Sequence, residues 1–306
     1  YNLQSTFASY TFYNASWTPW VIGGVVAVLV ALCLFGGGKR IMSVTGVLVP
    51  VMGILYILVA LAISLVNITS LPSIISRIFS EAFDIKAIFG GFGGSCVMYG
   101  IKRGLFSNEA GVGSAPNASA SAEVSHPAKQ GLVQMLSVFL DTLLICTCTA
   151  FMCLSSGIST EGYASGNEAM YVQGALSSAL GKFGPIFIAV ALTLFAFTTL
   201  IGNYYYCEGC LQFIMKRQPS KAFMTGFRVV AAVIVCVGAV ASMSLVWNLA
   251  DLTQGLMVVT NIPVILILGK PAVAALKDYR NQKAEGKDPE FKAADIGLAG
   301  KTEFWQ

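Results

Sequence analysis

Long apolar runs alternate with short polar stretches along this chain, and that rhythm predicts helices that cross a membrane. Apolar runs at about 18–38, 44–66, 87–104, 130–156, 185–207, 222–247 and 250–268 lie near the ~20 residues a helix needs to span a bilayer. Residues 70–83 place apolar side chains at helical spacing among serines and charges, which predicts an external helix lying in the interface. Residues 157–183 carry Gly, Ser, Asn and Glu and predict an outer loop with a short helix. The stretch 105–125 predicts an extra half-helix attached to the third run, and the charged tail from 278 to 306 predicts partial disorder.

Composition removes the soluble alternative. Hydrophobic residues make up 56% and charged residues 11%, against roughly 25% charged in a soluble domain. The class expected is therefore all-α and integral to the membrane. Basic residues set the orientation. Lys39, Arg40, Lys129, Lys216, Arg217, Lys221 and the lysines of the tail fall on one side if the runs alternate strictly. Arg77, Lys86 and Lys182 fall on the other. That assigns residues 1–17 to the outside and the C-terminus to the cytoplasm, with a membrane domain over 1–269 and a cytoplasmic tail over 270–306. Trp17, Trp20 and Trp247 then mark the outer interface. The lone Cys207-x-x-Cys210 pair reads as structural, like the other cysteines inside apolar runs. With Tyr1 first and no basic n-region, no signal peptide is expected, and the chain reads as lacking the beginning of a longer protein.

Polar groups inside apolar runs carry the functional signal, because each is costly in hydrocarbon. Residues 103–116 gather Ser107, Asn108, Glu109 and the glycines 104, 111 and 113. Glycine-broken polar backbone survives at membrane depth only inside protein or beside a wet cavity. From composition alone the stretch reads equally as a cytoplasmic loop between two helices; as a break at membrane depth it is expected within 104–109, with a rival at Gly90–Gly94, where four glycines also suit close helix packing. Asp141, with Thr142, Thr147 and Thr149 nearby, is expected to be structural, buried on a helix face and hydrogen-bonded to neighbouring hydroxyls or backbone, not facing lipid. In the run 185–207, Thr198 and Thr199 are adjacent hydroxyls, and Asn203 lies one turn beyond Thr199 on the same helical face. Neutral hydroxyls and backbone carbonyls suit a monovalent hard cation, although a threonine hydroxyl can equally bond its own i−4 carbonyl.

At these residues the chain resembles the sodium:alanine symporter family, the alanine or glycine:cation symporters. The block from Arg103 to Gly111 with Gly113-Ser-Ala-Pro116 reads almost letter for letter as that family's signature. His126-Pro127, Lys129 to Val133, Phe139 to Thr142, Gly36 to Ile41 and Leu245 to Leu252 match family blocks in the same order. The resemblance extends to about residue 275 and corresponds to the C-terminal two thirds of a symporter. It implies a leucine-transporter-like fold of two inverted five-helix repeats, here a fragment with the last two helices of repeat one and all of repeat two. On that reading 87–125 is the broken helix of the second repeat, and 185–207 is its eighth helix. Gly104, Phe106, Ser107, Asn108 and Asn203 are then expected at the substrate, and Thr198 and Thr199 at a sodium ion. Some members have Trp where this chain has Asn203, so substrate choice is expected to depend on that position.

The activity expected is sodium-coupled symport of a small neutral amino acid, alanine or glycine, across the plasma membrane by alternating access. The alternatives are proton coupling through Glu109 or Asp141, and a channel or receptor that does not pump. An enzyme is disfavoured because no nucleophile–base pair is present and His126 falls at a cytoplasmic edge. The expected partners are the amino acid, the sodium ion that drives transport and membrane lipid, with no nucleic acid.

Overall fold

A computed structural model describes residues 1–8, 10–82, 92–159, 163, 168–302 and 305. All regular elements among the described residues are helices. Apart from the short 3-10 turns Ile68–Ser70 and Ala293–Ile296, these are in chain order α1 (Asn2–Ser5), α2 (Thr18–Leu34), α3 (Gly37–Val66), α4 (Leu71–Ala82), α5 (Phe92–Asn108) and α6 (Ala115–Ser119). There follow α7 (Pro127–Val138), a π-helical turn (Phe139–Ile145), α8 (Cys146–Ser155), α9 (Glu168–Leu180), α10 (Phe183–Met215), α11 (Lys221–Val240) and α12 (Met243–Ala284). Among the described residues, five helical stretches are long and apolar enough to cross a membrane. They are Gly37–Val66, Pro127–Ser155, Phe183–Met215, Lys221–Val240 and Met243–Ala284, and α2 is a shorter apolar helix. Large apolar side chains such as Leu266 and Ile267 stand about three-quarters exposed on them, as a lipid-facing surface requires. The start of the third predicted run, including Gly90 of the rival break, lies outside the described residues.

The chain forms two compact units. The first comprises Tyr1–Met98 and Leu144–Ala250. Its core packs Tyr56, Ala60 and Ile63 of α3 against Met152, Leu176, Ile188 and Ala191. Tyr56 shares a 2.7 Å hydrogen bond with Thr149, so the buried phenol keeps a partner. A second cluster joins Val30, Cys33 and Leu34 of α2 to Ile41, Ile201 and Tyr204. Where α2 meets α11, Gly23 is essential to the approach. A Cβ built there would lie 2.7 Å from Ala239 Cβ and 3.1 Å from the Cys236 carbonyl oxygen, the small-residue contact typical of membrane helices.

Two helix boundaries differ from the hydrophobicity pattern, and capping explains both. The first turn comes at Phe35–Gly36, and Gly37 adopts φ +69°. Lys39 and Arg40 therefore open α3, and the Arg40 guanidinium donates 2.9 Å back to the Leu32 carbonyl, a cation on the last turn of α2. The second boundary comes at Ala241–Ser242, where Ala241 is extended and the Ser242 hydroxyl accepts from Leu245 N at 3.4 Å. From there α12 continues through Pro263 and Pro271 to Ala284, so the expected 269/270 division falls inside one helix.

The second unit comprises Tyr99–Leu143 and Asp251–Gln306. Its tail, expected to be partly disordered, packs instead. Phe291, Ala293 and Ala275 are buried together, and Phe291 N donates to the Ser125 carbonyl at 3.0 Å. His126 is fully buried at the meeting point. Its Nδ1 accepts from Ala128 N at 3.1 Å, capping α7, so the proton sits on Nε2 and faces Asp278 Oδ2 at 3.2 Å. The rings of Tyr279 and Phe291 flank it edge-on. Charge density misled the disorder expectation, because a few apolar anchors and one buried imidazole are enough to dock a short segment.

Two outcomes test this packing. Gly23→Val forces a branched side chain into the α2–α11 contact and is expected to cost about 1–3 kcal/mol, read as a lowered melting temperature in detergent. The tail also carries a pH signature. Lys129 Nζ donates to Asp288 Oδ1 at 2.8 Å, and this bond and its charge hold the Asp288 carboxyl below its ordinary 3.8. A depressed folded pKa contributes stability above the unfolded value and loses it as pH falls through the folded one. This pair's contribution to tail docking is therefore full at neutral pH and is lost as pH falls below about 3.8, a small effect for so exposed a pair. Trp305, which packs against Phe291, reports this as a red-shifted emission once Trp17, Trp20 and Trp247 are replaced.

Candidate functional site

The polar block at 103–116 breaks its helix where glycine and asparagine are densest. α5 runs unbroken from Phe92 to Asn108, so the break begins at the C-terminal edge of the expected 104–109 window. Glu109 takes φ +57°, a left-handed conformation rare outside glycine. The loop then closes on itself: Ala110 N donates to Asn108 O at 2.7 Å and Gly113 N to Glu109 O at 2.8 Å. The Ser114 hydroxyl donates 3.1 Å to Glu109 Oε2, which keeps that carboxylate within the loop. Gly113 has φ +89°, and a Cβ there would lie within 3.0 Å of three Asn261 side-chain atoms. The half-helix expected over 105–125 is reduced to the short α6, because Glu109 to Ser114 is spent on the turn.

Partners from the same unit hold this break. Asp251 of α12 receives Lys102 Nζ at 3.1 Å and lies 3.7 Å from Arg103 Nη1. Asn261, on the same helix, donates its amide to the Ala110 carbonyl at 2.8 Å and the Gly111 carbonyl at 3.0 Å. From the other side, the Ser107 hydroxyl donates 2.6 Å to Asp141 Oδ2. Asp141, expected to be buried, stands exposed with Ser107 as its partner, because it sits in the π-helical turn Phe139–Ile145, where one residue beyond the α-helical count re-aims the side chains.

A cavity of about 560 Å³ opens beside the break, lined by Asn108, Ala110, Ala115, Gln134, Phe139 and Thr142 among others. That volume is in the range of small-molecule sites, which are mostly apolar with a few polar groups that orient the ligand. Asn108 is the expected site residue that reaches it. Thr142 also lines it, with its Oγ1 turned away from the accessible surface and without a hydrogen-bond partner. Sequence reasoning passed over Gln134 and took Thr142 only as a neighbour of Asp141. The π turn that places Thr142 on this wall leaves no recognisable mark in residue types. Gly104 and Phe106 sit on α5, Phe106 partly exposed, and a Cβ at Gly104 would meet open space.

The remaining expected residues belong to the first unit. Thr198 is buried on α10, and its hydroxyl donates to the carbonyls of Leu194 and Phe195 at 3.1 and 3.0 Å. The proton is thus committed to the helix, while the oxygen lone pairs remain able to accept a cation. Thr199 and Asn203 are both exposed, one turn apart on one face of α10.

Comparison with known proteins now decides the family. The model of the sodium:alanine symporter family matches residues 2–293. The chain belongs to that family. It is 43% identical over 286 residues to the amino-acid carrier protein AlsT of Bacillus subtilis, covering 94% of this chain and 60% of AlsT. It is 43% identical over 306 residues to the probable sodium/glutamine symporter GlnT of the same organism, covering 99% and 63%. To a sodium/proton-dependent alanine carrier protein of Bacillus sp. strain PS3 it is 38% identical over 317 residues, covering 99% and 71%. The chain thus spans about three fifths of the length of AlsT and GlnT. Its family is one of transporters, not enzymes, and its apolar helices are those of a multi-pass membrane protein.

The Ser107–Asp141 bond gives a direct check on the site's frame. Ser107→Ala removes a hydrogen bond to a charged acceptor and is expected to cost about 1.5–3 kcal/mol. Asp141→Asn still offers Ser107 an oxygen and is expected to cost less than about 1 kcal/mol. Thermal unfolding of the two variants in the same detergent separates these values.

Proposed function

We propose that this protein carries a small neutral amino acid, alanine or glycine, across the plasma membrane in symport with sodium. The observation that carries this reading is the helix break after Asn108, which borders a cavity walled by Asn108, Gln134 and Thr142. Membership in the sodium:alanine symporter family supplies the ion and the substrate class. Amides and a hydroxyl without a net charge suit a zwitterion whose side chain is small and apolar. Gly104, Phe106, Ser107 and Asn108 on the broken helix, with Asn203 on α10, are the substrate residues of this proposal. Thr198 and Thr199 are its sodium ligands. The leucine-transporter-like arrangement of inverted repeats, the membrane domain over 1–269 and the cytoplasmic tail over 270–306 belong to the same reading.

Alternating access then needs no covalent chemistry. Sodium entry down a 100 mV potential supplies about 2.3 kcal/mol per charge, roughly fifty-fold in accumulation before any sodium gradient is counted. A second reading, proton coupling, is favoured by Asp141 in its apolar helix and by the sodium/proton-dependent relative. The relative named for glutamine adds a larger substrate to be tested.

Uptake of labelled alanine by the natural full-length protein in proteoliposomes, with sodium and proton gradients imposed separately, tests the proposal. Accumulation driven by sodium alone, and inhibited by glycine more than by glutamine, is expected. Accumulation with a proton gradient alone would replace sodium by the proton. Thr199→Val should raise the half-saturating sodium concentration about tenfold, the loss of one oxygen ligand worth ~1.4 kcal/mol. Asn203→Trp should shift substrate preference and spare the sodium dependence.

A further inference from the structure

We infer that Asn261 is a positioning residue: it sets the broken loop that forms one wall of the substrate cavity, and through it the apparent affinity for substrate. The inference rests on the transport reading above and adds to it a residue outside the cavity. A helix that ends in an apolar layer leaves carbonyls that must find donors. Just beyond the end of α5, two loop carbonyls, on Ala110 and Gly111, have the same need and receive the protons of one side-chain amide, at 2.8 and 3.0 Å. Carbonyls only accept, so the NH2 end of Asn261 must face them. No other side chain of similar volume offers two donors from one short stem.

Three further observations show a built mount. Gly113 is held at φ +89° with no room for a Cβ against Asn261, so loop and amide fit each other closely. Asp251 holds Lys102 and Arg103 from the same α12, ten residues and roughly 15 Å along the helix from Asn261. The broken helix is therefore fastened to α12 at two points, one on each side of its break. Ala110, whose carbonyl Asn261 holds, itself lines the cavity beside Asn108. A shift of that carbonyl moves the wall. Asn261 does not line that cavity; it faces a smaller hollow of about 270 Å³ with Val112, Thr260 and Val264.

Asn261→Asp tests this with almost no change of shape. As an anion the new side chain repels both carbonyls, and once protonated it donates to one of them. In proteoliposomes at pH 7.5 the KM for alanine should rise about tenfold over wild type, with kcat within about twofold. At pH 5.5 the ratio of variant to wild-type KM should fall to about threefold or less, as protonation restores one bond. Asn261→Leu, which can never donate, should show no such recovery. Hydrogen–deuterium exchange on the purified protein supplies a readout independent of transport. Amides 109–114 should exchange at least about tenfold faster in the aspartate variant at pH 7.5, with 99–105 unchanged. Should that variant not be recovered folded, Asn261→Ser, which keeps one donor, carries the same measurements with about a threefold rise in KM. A KM ratio near one at both pH values, with unaltered loop exchange, would overturn the inference. So would a fall in kcat that merely tracks the amount of folded protein. Wild-type protein that carries no alanine would instead defeat the transport reading, and loop exchange would still judge the mount.

Discussion

A helix that stops within an apolar layer exposes carbonyls that water cannot reach, and every such group needs a protein donor. The broken loop of the second unit has such donors from its own chain. At the break after Asn108 both Glu109 and Gly113 take left-handed backbone, which Gly113 adopts freely and Glu109 only under constraint, and Asn261 answers the carbonyls of Ala110 and Gly111. The same helix answers the charges of Lys102 and Arg103 through Asp251. Without these partners an unbroken helix would be the cheaper backbone, and no cavity wall would form at Ala110.

The polar side chains at the break are divided between structure and binding. Glu109 is turned back onto Ser114 within the loop, and Ser107 is committed to Asp141. Asn108 instead borders the cavity, and Thr142 lines it with its hydroxyl oxygen buried behind the wall. A group already satisfied holds a site in shape, while one left unsatisfied in a cavity is available to a ligand. Substrate contact is therefore expected at Asn108 more than at Glu109.

Helix α10 shows the same economy on a smaller scale. Thr198 donates to its own helix and is buried, whereas Thr199 and Asn203 share an exposed face. Two adjacent hydroxyls thus meet different surroundings because successive residues on a helix point about 100° apart. Their environments differ even though the residues are identical.

Much of the fold was legible in the sequence. Apolar runs of spanning length gave the helical membrane class, and the motif from Arg103 to Pro116 carried the family resemblance. Both signals are local: hydrophobicity needs no partner, and glycine beside asparagine marks backbone that leaves the helix. What only tertiary structure decided were pairings between residues far apart in sequence. Asn261 reads as one polar residue in an apolar helix until the carbonyls of 110 and 111 are seen against it. His126 reads as an edge residue until Asp278 and Phe291 close over it. The π turn at 139–145 and the unpartnered Thr142 hydroxyl depend on how one helix packs against the broken loop. Residue types state which hydrogen bonds a chain must make; only the fold decides which distant group supplies the other half.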